Sequence, residues 1–108
     1  MVAMNLNTGT YYLSGSSTSG SVTLTDDDTL LSSIIVYNAG SHDIFLVSGT
    51  TSAPTAVFPT SATAPLKGKV VGAGAIVTLT KNIGDRYIAG ICSSTNTTDV
   101  YISPGSGE

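Results

Sequence analysis

His42 is the only histidine of the 108-residue chain, and it stands beside Asp43 in a sequence holding 15 serines. A nucleophilic triad needs an imidazole oriented by a carboxylate and placed within hydrogen-bond reach of a hydroxyl. Neighbouring residues on a strand point to opposite faces, so Asp43 is badly placed to orient His42. No GxSxG elbow accompanies the pair. Asp26-Asp27-Asp28 offers oxygen ligands to a hard cation. Three consecutive carboxylates converge only in a tight loop, so a solvated turn that blocks edge-to-edge pairing is the expectation. Gly72-Ala73-Gly74 has no helix N-terminus after it to cradle a phosphate, and reads as a turn. Asn96-Thr97-Thr98 matches a glycosylation acceptor, but Met1 to Tyr12 lacks the pattern of a secretory signal, so no glycan is expected. Cys92 is the single cysteine, which excludes an internal disulfide and a cysteine metal cluster, and it reads as a small core residue. The expectation is a protein without catalytic, cofactor or metal residues, and not an enzyme.

Five tyrosines, Tyr11, Tyr12, Tyr37, Tyr87 and Tyr101, have the ring chemistry to stack on sugars. With no Trp and few acidic partners, packing in the core and in interfaces is the reading adopted for them.

The elements that position these residues are strands. Leu30 to Gly49 holds two apolar, β-branched runs around Asn38-Ala39-Gly40-Ser41-His42, which predicts a β-hairpin at the centre of a sandwich. Both runs are nearly continuous in apolar residues, as strands covered on both faces are. Residues 10–13, 21–25, 66–71, 75–80, 86–92 and 100–103 complete the set, with a bulge expected at Gly90 and a stop at Pro104-Gly105. Seven or eight strands about ten residues apart predict an all-β, antiparallel β-sandwich with almost no helix. Its jelly-roll and Ig-like forms are not distinguished by this pattern. Residues 1–8 read as an arm, and 9–108 as one domain interrupted by a long loop at 50–64. That loop is expected to lie over a neighbouring surface or along an edge, with Phe58 as its anchor.

Only 10% of residues are charged, 31 of 108 are Ser or Thr, and the net charge is −3. Lys67, Lys69, Lys81 and Arg86 are too few for a nucleic-acid footprint. No run of 18 apolar residues exists to span a membrane as a helix. A polar but nearly uncharged surface suits a protein covered by its neighbours, since charge is depleted at interface cores. Candidate contact residues are Tyr11, Tyr12, Pro54, Val57, Phe58 and Pro59, with the arm and the loop.

Val36–Gly49 (VYNAGSHDIFLVSG), Val70–Thr80 (VVGAGAIVTLT) and Tyr87–Glu108 (YIAGICSSTNTTDVYISPGSGE) together resemble small β-sandwich virion proteins of tailed bacteriophages. The likeness lies in an N-x-G turn before an aliphatic run, a Gly-centred turn and a terminal YxxPGxG, and it covers about the C-terminal two-thirds. What it implies is a capsid decoration, or cement, protein. Such a protein assembles as a homotrimer on the major capsid protein at the virion surface, after synthesis in the host cytoplasm. A tail, neck or fibre component and a carbohydrate-binding module are the alternatives.

Overall fold

The computed structural model describes residues 9–25, 29–50, 54–60, 66–93 and 95–105. The expected arm, the Asp26–Asp28 turn and parts of the 50–64 loop lie outside these residues. Every described element is a strand: β1 (Tyr11–Gly15), β2 (Gly20–Thr23), β3 (Ser33–Asn38), β4 (Ile44–Gly49), β5 (Lys69–Val71), β6 (Ile76–Thr80), β7 (Tyr87–Cys92) and β8 (Thr98–Gly105). Each carries the β-branched and aromatic residues that pack well on a pleated surface.

The strands form two four-stranded antiparallel sheets, in the orders β1-β8-β3-β6 (sheet A) and β2-β7-β4-β5 (sheet B). β1 pairs with β8, β2 with β7, β3 with β6 and β4 with β5. The chain is therefore a doubled ribbon whose apex is the long loop after β4. It is wound so that β3 also meets β8, and β4 also meets β7. This is the winding of an eight-strand jelly roll rather than of a seven-strand Ig-like sandwich.

The winding overturns the expected central hairpin. β3 and β4 do not pair with each other; they lie in opposite sheets, and residues 39–43 carry the chain between them. Asn38 holds this crossing from a fully buried position. Its Nδ2 donates to the carbonyls of His42 (2.8 Å) and Val71 (3.1 Å). Its Oδ1 accepts from the Thr98 hydroxyl (2.6 Å) and the Gly40 N–H (3.2 Å). The amide's two donors and two acceptor sites are thus all used, which removes the penalty for burying it. Gly40 must be glycine, because an added Cβ would collide with the Thr98 side chain and sit 2.9 Å from the Asp99 nitrogen.

Leu13, Leu24, Ile34, Val36, Ile44, Leu46, Val71, Ile88, Cys92, Val100 and Ile102 fill the space between the sheets. Each such aliphatic side chain contributes about 1.5–3 kcal/mol when fully buried. Both runs of the expected hairpin do supply this core, but from opposite sheets. Two further expectations are corrected here. Gly90 makes no bulge: its register opposite Leu46 is continuous with its neighbours. It is glycine because a Cβ would approach Ile44, Leu13 and Leu46 side-chain carbons to 2.8–2.9 Å. Nor does Pro104 stop the last strand; it pairs with Ile34 inside β8. The Asn38 N–H donates to Ala75 on the β6 side, so even-numbered residues of β3 turn their backbone groups towards β6. Pro104, opposite Ile34, therefore aims its nitrogen away from β3, so the β3–β8 ladder needs no N–H from it. The radius of gyration, 13.0 Å, is that of a single domain of this length.

Candidate functional site

The outward-facing residues of sheet A make a row that crosses all four strands. Tyr12 on β1 lies opposite Tyr101 on β8, Tyr101 opposite Tyr37 on β3, and Tyr37 opposite Ile76 on β6. Alternation explains the row: Leu13, Val36, Val100 and Ile102 point inward, so their neighbours point out. Tyr12 is 52% exposed, Tyr37 and Tyr101 41% each and Ile76 68%. Ring centroids are 5.6 Å apart for Tyr12 and Tyr101, and 6.4 Å for Tyr37 and Tyr101. The Tyr12 hydroxyl donates to Asp99 Oδ1 at 2.6 Å, and this bond to a carboxylate raises the tyrosine's pKa. Beside the row, the Thr10 and Ser103 hydroxyls bond at 3.0 Å, and Ile35 lies between Ser103 and Thr78. The face is aromatic and hydroxyl-bearing, and Asp99 is the one charge among these residues.

The other two tyrosines serve elsewhere. Tyr11 packs against the core, and its oxygen accepts the Thr25 N–H at 2.9 Å, which ties the end of β2 to β1. Tyr87 is partly buried at the start of β7.

The expected contact loop is folded onto its own domain in the part described. Phe58 meets Phe45 of β4 edge-on, with centroids 6.4 Å apart. Ala56 is buried, and its N–H donates to Ser19 Oγ at 2.8 Å. Pro54 and Pro59 are partly buried, while Val57 is half exposed. Of the six candidate contact residues, Tyr12 and Val57 thus offer large free surfaces.

The remaining chemistry-bearing residues stay apart. His42 Nδ1 lies 3.0 Å from the Thr97 carbonyl, and Asp43 Oδ1 accepts the Ala73 N–H at 3.1 Å, so each holds a different loop. That second bond secures the Gly72–Gly74 turn, where Gly74 adopts φ 75°. Asp85 Oδ2 accepts from Ser48 Oγ at 2.8 Å and from the Asn82 N–H at 3.2 Å. The buried Lys81 Nζ donates to the Thr29 carbonyl at 3.0 Å. Cys92 is buried, and desolvation pushes its thiol pKa up. Among the described residues, no three His, Cys, Asp or Glu come together to hold a metal ion. A cleft of about 390 Å³ opens between the sheets on the β5–β6 side, lined by Leu46, Ser48, Leu79, Lys81 and Ile88 among others.

Sequence reasoning missed Ile76 and Asp99 as members of the aromatic face. The signal was present as the alternation of Ile76 to Thr80, but only the strand register brings these residues beside the tyrosines. Fold and face define an eight-strand jelly-roll protein with one open aromatic sheet. Compared with known proteins, the chain matches no family model, no curated protein and no solved structure.

Proposed function

We propose that the chain is a non-enzymatic structural component of a bacteriophage particle, a decoration protein that docks on the assembled head through the outer face of sheet A. The observation that carries this reading is the exposed Tyr12-Tyr101-Tyr37-Ile76 row on a nearly uncharged sheet. Tyr side chains supply large contact area at low entropic cost, and they are enriched where proteins meet. A protein that binds the assembled shell and not its loose subunits stabilises the shell by mass action. Such a contact needs roughly 1,200–2,000 Å² of buried surface and many identical copies, not reactive groups.

The test is co-sedimentation with purified tailed-phage heads stripped of their decoration. The wild type should pellet with the heads. The double variant Tyr37→Ser, Tyr101→Ser should bind roughly tenfold or more weakly while its circular dichroism is unchanged. Equal binding by both proteins rejects this face as the docking surface.

A second reading has its own observation. The same tyrosines lie beside Asp99 and the Thr10 and Ser103 hydroxyls, a mixture of rings and hydrogen-bonding groups that suits a carbohydrate. Binding on a glycan array that Tyr101→Ser abolishes would favour it over the decoration role.

A further inference from the structure

Sheet A ends at β6, and the backbone of that strand says what fits against it. The Asn38 N–H donates to the Ala75 carbonyl at 3.0 Å, and the Lys81 N–H donates to the Ser32 carbonyl at 2.8 Å. Ala75 and Lys81 therefore turn their backbone groups towards β3. The alternation of an antiparallel ladder makes Val77 and Leu79 do the same. It follows that Ile76, Thr78 and Thr80 aim their N–H and C=O groups away from the sheet. Among the described strands none lies on that side.

Proteins commonly blunt such an edge with charge, proline, a bulge or a very short strand. β5, the edge of sheet B on the same side, has three residues and carries Lys69. β2 has four and begins with Gly20. β1 ends in Ser14-Gly15. β6 has none of these devices: Ile76-Val77-Thr78-Leu79-Thr80 is uncharged, free of Gly and Pro, and in unbroken register with β3 from Tyr37 to Ser33. Its inward residues are also incompletely covered. Val77 and Leu79 are only partly buried against the core, and Leu79 lines the cleft between the sheets.

We propose that β6 is a self-association edge, and that its occupant is the β6 strand of a second copy. An antiparallel pair of identical strands is necessarily two-fold, and this one is self-complementary about Thr78. Thr78 faces Thr78 of the second copy, and Ile76 faces Thr80, so each outward N–H meets an outward carbonyl. Val77 then lies against Leu79 of the other copy and extends the core across the join. On the outer face, Ile76 gains the Thr80 methyl, and the two tyrosine rows lie on one eight-stranded sheet. This favours a pair of copies over the trimer that the resemblance implies. The inference stands on edge geometry and does not depend on docking to a phage head.

The native mass at micromolar concentration tests it. Wild type should sediment as a dimer. Thr78→Pro removes an N–H that points away from β3 and serves no bond among the described residues, so it should give a folded monomer, whereas Val77→Pro removes an N–H directed at β3 and should unfold the sheet. A wild-type monomer, a trimer, or a folded Thr78→Pro protein that stays dimeric would overturn the proposal. Amide exchange gives an independent reading should Thr78→Pro fail to fold. The Ile76, Thr78 and Thr80 amides should exchange more slowly as wild-type concentration rises. Rates independent of concentration would equally overturn the pairing. Head binding without dimerisation, or dimerisation without head binding, separates this proposal from the docking reading.

Discussion

Sheet B turns Phe45 outward and sheet A turns Tyr12, Tyr37 and Tyr101 outward, but among the described residues only the first is covered. Phe45 is buried although it points away from the inter-sheet core, because Phe58 and the loop around it fold back over β4. The residue types match this difference. A phenylalanine has no polar handle and must be covered, whereas a tyrosine keeps its hydroxyl in water or on a partner such as Asp99. One face is covered by a described segment of the chain itself, and the other keeps its three tyrosines exposed.

The contrast is sharpest in stability. Phe45→Ala should cost about 3–5 kcal/mol, since it empties a site enclosed by strand and loop. Phe58→Ala, in a partly buried ring, should cost about half as much, and urea denaturation measures both. Tyr37→Ser on the open face should change stability by less than about 1 kcal/mol. If Tyr37→Ser were as damaging as Phe45→Ala, the tyrosine row would be structural and the two faces equivalent.

The smallest effect is the titration of Tyr12. Its hydroxyl donates to Asp99, and ionisation would place two negative charges together, so its pKa lies above the ordinary tyrosine value of about 10. A raised folded-state value means that the bond's contribution to stability is present below that ordinary value and is lost as pH rises through the folded one. Tyrosinate absorbance should show this tyrosine ionising late, and Asp99→Asn should bring it back towards the ordinary range. An unchanged titration in Asp99→Asn would dissociate Tyr12 from the carboxylate.

How far the fold was legible follows from how local each signal is. The strands are legible because period-two alternation and β-branched runs act within a few residues: Ser21 to Thr25, Ile76 to Thr80 and Tyr87 to Cys92 each announce themselves. Pairing is not local. Five residues between Asn38 and Ile44 suit either a hairpin within one sheet or a crossing between two. The choice fell to Asn38, whose partners Val71 and Thr98 lie 33 and 60 positions away. The same distance hid the aromatic face, for Tyr12 meets Asp99 and Tyr101 only through the β1–β8 register.

By itself, then, the sequence determined an all-β chain of strands at about ten-residue spacing, because composition and alternation are properties of neighbours. The tertiary structure alone decided that the sandwich is a jelly roll. It also decided that Phe58 covers its own sheet and that three distant tyrosines form one exposed row. Those outcomes depend on which buried polar groups and side-chain shapes satisfy one another across the fold, and no short stretch of the chain carries that information.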